Sequence, residues 1–185
     1  AVLGRERTDP AAILAALGVS RGEPILGFDP EAARAALVAL PWIRDAEVQR
    51  RLPDAIHVRL VERRPLALWQ NGGRYSVIDD EGEVLMEDAD EAWFALPLVV
   101  GPGAPQAALA HLVLLGQSPA VAQRTEASVR VGSRRWDLHL DNGIVVQLPE
   151  RGEAEAIARL GGFLTDGQLD QYDVIRVDLR LEDRM

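Results

Sequence analysis

Two hydrophobic periodicities alternate along this chain, and their order predicts its elements. Ala1 to Thr8 reads as a short strand. Asp9-Pro10 then supplies an N-cap and a proline at the first helical position, opening a helix over Ala11 to Leu17 that Gly18 stops. Asp29-Pro30 repeats that start signal, and Ala33, Ala36, Leu37 and Leu40 follow at i, i+3, i+4 and i+7 until Pro41 ends the helix. From there the period drops to two. Ala46, Val48 and Leu52 point inward while Glu47 and Gln49 point out. After a turn at Pro53-Asp54, Ile56, Val58 and Leu60 point inward, with His57 and Arg59 outward. Residues 1–64 therefore predict a small β-α-α-β-β domain, two helices on one face of a three-stranded sheet.

Residues 65–185 predict a second domain, a mixed, mainly antiparallel β-domain with two helices, so that the chain as a whole is α+β. Short strands are expected at Leu66 to Trp69, Tyr75 to Ile78 and Glu83 to Leu85, with turns at Asn71-Gly72-Gly73 and Asp79-Asp80-Glu81-Gly82. Leu96 to Pro105 reads as a loop punctuated by Pro and Gly. A helix over Gln106 to Leu115 is expected to turn Leu109, Leu112 and Val113 inward. Three strands follow near 127–132, 135–141 and 144–148, the last two joined at Asn142-Gly143. A two-residue loop there sets Leu138 opposite Gln147, mixing polar and apolar residues on each face; a bulge or a doubly covered sheet removes the conflict. A helix over Glu153 to Leu164 buries Ile157, Leu160 and Leu164. The closing strand alternates cleanly, with Ile175, Val177, Leu179 and Leu181 on one face and Arg176, Asp178, Arg180, Glu182 and Arg184 on the other.

Composition narrows the class. The 185 residues are 48% hydrophobic and 26% charged, as in an ordinary globular protein. A formal charge of −9 argues against a phosphate-backbone partner, which needs a clustered positive surface, so no nucleic acid is expected. All 20 basic residues are Arg, and cysteine is absent, which removes disulfides and thiolate metal sites. No apolar run approaches the ~20 residues that cross a bilayer. The abrupt opening in a strand leads us to expect an upstream segment that carries any membrane anchor.

Candidate chemistry is sparse. His57, His111 and His139 are far apart without a second His at ligand spacing, so a surface or half-buried structural role is favoured over a metal. The acidic series Asp79, Asp80, Glu81, Glu83, Glu87, Asp88, Asp90 and Glu91 lacks the ligand pattern of an EF-hand and reads as a solvated turn. No serine sits in a Gly-x-Ser-x-Gly elbow, and the Gly pairs do not form a phosphate-cradling loop. A non-enzyme without cofactor or metal is the expectation. Two features remain: Arg134-Arg135 before Trp136, a basic spot on an acidic chain, and the charged face of the closing strand. That face either guards an edge against aggregation or accepts a partner's strand, with Arg selecting acidic groups. The pattern alone leaves both readings open.

An ordered series of motifs carries a resemblance. Residues 1–64 resemble a POTRA domain. The whole chain resembles the extracytoplasmic region of the FtsQ/DivIB cell-division family, through Leu40-Pro41-Trp42-Ile43, Ala46-Glu47-Val48, Arg51-Leu52-Pro53 and Glu62-Arg63-Arg64-Pro65-Leu66-Ala67-Leu68-Trp69. Val77-Ile78-Asp79, Arg134-Arg135-Trp136, Asn142-Gly143, Leu148-Pro149 and Val177-Asp178-Leu179-Arg180 continue it in the same order. The resemblance implies a single-pass inner-membrane protein whose periplasmic part scaffolds the divisome without catalysis. Its implied partners are FtsB and FtsL, with the POTRA domain as a further surface for other division proteins. The partner's segment adds to the last strand, beside a basic residue near Trp136. Carried onto this chain, the contacts are Arg134 or Arg135 and the run Arg180, Leu181, Glu182, Asp183 and Arg184; some members have an aromatic where this chain has Leu181. Two rival readings are a POTRA module of outer-membrane assembly or secretion, for which a second repeat is missing, and a carboxylate-dependent cell-wall hydrolase resting on the acidic series alone.

Overall fold

A computed structural model describes residues 1–19, 24–167 and 174–180, and the chain divides into two compact units, Ala1–Arg64 and Pro65–Met185. In the first unit α1 (Pro10–Leu17) and α2 (Pro30–Val38) start where the Asp-Pro pairs predict. The Asp9 carboxylate accepts from Ala11 N–H at 3.1 Å, and that of Asp29 from Glu31 N–H at 2.9 Å. The sheet runs β1 (Val2–Leu3), β3 (Ala55–Glu62), β2 (Ile43–Arg51), with β1 parallel and β2 antiparallel to β3. Ile13, Leu17, Ala33 and Leu37 from the helices pack on Ile43, Ala46, Val58 and Leu60 from the strands.

Three expectations in this unit shift. The first strand stops at Leu3 because Gly4, at φ +82°, lies so close to the Leu60 carbonyl that a Cβ would come within 2.1 Å of its oxygen. The chain then bends to Thr8, where the Glu62 carboxylate accepts from the N–H groups of Arg7 (2.7 Å) and Thr8 (2.9 Å) and from the Thr8 hydroxyl (2.6 Å). Burial acts to raise the Glu62 pKa, but these donors outweigh it and hold the carboxyl below its ordinary value. Leu52 is exposed rather than inward, because the ladder ends at the pair Arg51–Ala55 and leaves Leu52 in the turn. Ala36 is exposed too, so the inner face of α2 is narrower than its periodicity suggests.

Among the described residues the second unit is one eight-stranded sheet backed by helices. Its elements are β4 (Pro65–Asn71), β5 (Arg74–Asp79), β6 (Val84–Met86), β7 (Leu98–Val100), α3 (Ala104–Gly116), α4 (Pro119–Arg124), β8 (Thr125–Val131), β9 (Arg135–Leu140), β10 (Val145–Gln147), α5 (Glu153–Thr165) and β11 (Arg176–Asp178). The strand order is β11-β10-β9-β8-β7-β4-β5-β6. β11 is parallel to β10, and β7 is parallel to both its neighbours; the other pairs are antiparallel. One transverse row, Val99, Ser128, Leu138, Val146 and Val177, joins five strands and is buried throughout. Ala104, Ala108, Leu115, Ala156, Ile157 and Leu160 of the helices close over it.

The structure adds a third helix, α4, and a strand, β7, inside the segment read as a loop. It also turns α3 to another face. Leu109 and Val113 are exposed, and Ala104, Ala108, His111 and Leu115 are buried instead. His111, expected at or near the surface, draws that face in. Its Nδ1 lies 2.5 Å from Glu153 Oε1 at the start of α5, its Nε2 lies 2.8 Å from Ser128 Oγ on β8, and its ring stacks on Trp136 at 4.3 Å. The Asn142-Gly143 hairpin has a three-residue loop, not two: Leu140 N–H donates to the Ile144 carbonyl, and Leu138 faces Val146. That one extra residue puts apolar opposite apolar and removes the conflict. Ile175 is exposed, since it precedes β11 and only its carbonyl joins the ladder.

Candidate partner-docking edge and arginine recess

Among the described residues β11 has one neighbour, β10, and so forms an edge of the sheet. Val145 N–H donates to the Ile175 carbonyl and Leu179 N–H to the Gln147 carbonyl, both at 3.0 Å. Backbone groups alternate in direction along a strand, so those of Arg176 and Asp178 point off the sheet. Val177 and Leu179 anchor the strand, with their side chains in the core.

At the end of this edge three segments converge. β10 and β11 run parallel and β9 runs against them, so the start of β9 meets the ends of the other two. The tight β8–β9 turn, with Gly132 and Ser133 both at positive φ, delivers Arg134 and Arg135. The chain leaving β10 brings Pro149, Glu150 and Arg151, and the chain leaving β11 brings Arg180; together they line a recess of about 460 Å³. Four arginines line it against Glu150, and two of them are paired with Asp137 and Asp178 at its rim, so it stays slightly positive on a chain of net charge −9.

Two ion pairs flank the recess. Arg135 Nε donates to Asp137 Oδ1 at 3.2 Å, and these side chains are only 20% and 12% exposed. Arg180 grips Asp178, with Nε donating to Oδ1 at 2.8 Å and a terminal nitrogen to Oδ2 at 2.6 Å. The Arg180 guanidinium, with a smaller contribution from the charge of Arg135, holds the Asp178 carboxyl down to about 2; the pairing raises the Arg180 pKa in turn.

Of the residues singled out in the sequence, the fold thus brings Arg134, Arg135 and Arg180 together. Leu181, Glu182, Asp183 and Arg184 lie outside the described residues. Sequence reasoning missed Glu150 and Arg151 as part of this site. Arg151 follows the Leu148-Pro149 motif at the end of β10, and only the parallel pairing of β10 with β11 carries it to Arg180.

The other candidate chemistry resolves into structure. Asp79 is fully buried, and its Oδ1 accepts from Glu81 N–H at 2.9 Å and Glu83 N–H at 2.8 Å, closing the β5–β6 turn. Gly82, at φ +82°, lets that turn pass against the Pro105 carbonyl. Among the described residues no group of three or more His, Asp or Glu is arranged to hold a metal. Ser128, His111 and Glu153 lie in the order of a nucleophile relay, and with the proton on Nδ1 the ring donates to the carboxylate and accepts from the hydroxyl. Yet Ser128 and His111 are each 1% exposed, which leaves no approach for a substrate carbonyl. No helix among the described residues is long and apolar enough to cross a membrane.

A β-α-α-β-β unit followed by a helix-backed sheet with an open terminal edge is the POTRA-plus-β-domain architecture. Residues 1–63 match the FtsQ-type POTRA domain, and residues 67–180 match the C-terminal domain of the cell division protein FtsQ/DivIB. This chain is 41% identical over 182 residues to the cell division protein FtsQ of Bradyrhizobium diazoefficiens, covering 98% of this chain and 53% of that one. It is 44% identical over 186 residues to FtsQ of Caulobacter vibrioides, covering 97% of this chain and 59% of that one. The solved major extracytoplasmic domain of DivIB from Geobacillus stearothermophilus overlaps 57% of this chain and 96% of its own, at 16% identity and a TM-score of 0.40. The chain belongs to the FtsQ/DivIB family of cell-division proteins. It spans just over half the length of the relatives from Bradyrhizobium and Caulobacter.

Proposed function

We propose that this region is a non-catalytic scaffold of the division machinery. It holds FtsB–FtsL-type proteins on the periplasmic side of the inner membrane, so that septal cell-wall synthesis is recruited and regulated at the septum. A single membrane span upstream of residue 1 anchors it. The observation that carries this reading is the open β11 edge ending in a recess with four arginines. A partner segment that adds beside β11 takes its ladder hydrogen bonds from Arg176 and Asp178, and its carboxylates settle among Arg134, Arg135, Arg151 and Arg180. Backbone pairing supplies affinity in such strand addition, and charge supplies selection. Residues 181–184 extend the contact along the chain.

Charge reversal tests this. Arg180→Glu and Arg135→Glu are each expected to weaken binding to the extracytoplasmic segment of the same organism's FtsB at least about tenfold. Arg180 is well exposed, so reversing it is expected to leave the melting temperature almost unchanged. Calorimetric titration and a thermal melt of each variant read the two effects apart. Unchanged affinity in both variants contradicts the placement of the site.

A further inference from the structure

Arg180 does not offer a free cation to the recess. Its guanidinium makes a two-pronged contact with the Asp178 carboxylate at 2.8 and 2.6 Å, and its own backbone N–H donates to Asp178 Oδ1 at 3.0 Å. Two consequences follow from the geometry. The forked contact is the one an incoming carboxylate would make with an arginine. The backbone N–H is the next donor in the series Arg176, Asp178, Arg180, so the ladder cannot grow past Asp178 while that bond is kept.

We propose that Asp178 is an internal stand-in for a partner's carboxylate, and that the Asp178–Arg180 clamp is a latch an acidic partner strand must displace. This rests on the docking role proposed above. Asp178 then sets affinity and selectivity at the edge: a segment without a well-placed carboxylate finds Arg180 already satisfied and the last edge donor taken.

The two ion pairs beside the recess differ in the way this role requires. Arg135–Asp137 is largely enclosed, at 20% and 12% exposure, and serves as a fixed wall. Arg180–Asp178 is 45% and 40% exposed, within reach of a competitor, and an exposed pair contributes little stability of its own. It holds by geometry and is cheap to exchange. Because the Asp178 carboxyl is held down to about 2, the clamp stays charged at neutral pH, and exchange with another anion rather than protonation opens it.

A double-mutant cycle tests the latch with two probes, a hexaglutamate peptide and the extracytoplasmic FtsB segment of the same organism. Asp178→Asn removes the charge but keeps an oxygen that accepts from the Arg180 N–H, so the turn is retained. We expect it to tighten binding of both probes about fivefold, the upper end of what an exposed ion pair is worth. In an Arg180→Gln background the same change should bring no gain, since no cation remains to be released. An equal gain in both backgrounds means a general change of field and overturns the latch; so does an unchanged or weaker affinity in Asp178→Asn. If hexaglutamate tightens as expected while the FtsB segment binds neither protein, the latch stands and the partner assignment falls. If the FtsB segment binds the wild type and the Asn variant alike, the partner stands and the latch falls.

Discussion

Trp136→Ala is expected to cost the C-terminal unit about 3–5 kcal/mol, the range seen when a buried tryptophan is truncated. The residue is 1% exposed at the start of β9 and belongs to the core that α3, α4 and α5 close over. Its indole stacks on His111 with ring centres 4.3 Å apart and planes inclined by 19°, and the Arg130 guanidinium lies 4.9 Å from the ring centre. Truncation removes both contacts and opens a void that a sheet clamped on both sides of β9 cannot collapse to fill. Urea unfolding followed by circular dichroism reads the loss as a lower midpoint with little change of slope. The POTRA unit has its own buried cluster, which shares no residue with this one, and its transition is expected to stay in place.

His111→Ala is expected to be the second largest loss, about 2–4 kcal/mol, because it strands two polar groups at once. Ser128 Oγ, on a buried strand, loses its imidazole partner, and the Glu153 carboxylate, with a side chain 21% exposed, loses the group that ties α5 to α3. Ser128→Ala removes one bond of the same chain and leaves the His111–Glu153 contact, so it is expected to cost about 1 kcal/mol. If His111→Ala melts no lower than Ser128→Ala, the three-element tie does not carry the stability assigned to it.

The parts of the fold legible in the sequence were those fixed within a few residues. Asp9 and Asp29 cap helices through the N–H groups two positions on, and the alternation through β2 and β3 needs only the period of a strand. What escaped was set by distant partners. β7 is three apolar residues between Pro97 and Gly101, and a short strand buried between two others loses the alternation that would reveal it. α3 is apolar around most of its circumference, so the face chosen through Leu109, Leu112 and Val113 had little to separate it from its neighbours; the observed face carries His111, held by Glu153 42 residues away. The hairpin conflict at Leu138 was visible in the sequence, but its answer, a third loop residue, came from the structure. The candidate site divides in the same way. Arg134, Arg135 and Arg180 stood out by charge and by resemblance, whereas the share of Arg151 depends on two parallel strands some 30 residues apart in sequence.

In the proposed role a partner's strand pairs with β11. Amide hydrogen exchange read by NMR, with and without the FtsB segment, tests it most directly. In the free protein the Arg176 and Asp178 N–H groups point off the sheet and should exchange fast, while Leu179 N–H, bonded to Gln147, exchanges slowly. Saturating partner is expected to slow exchange at Arg176 and Asp178 together. Saturated binding that leaves both amides as fast as in the free protein contradicts it.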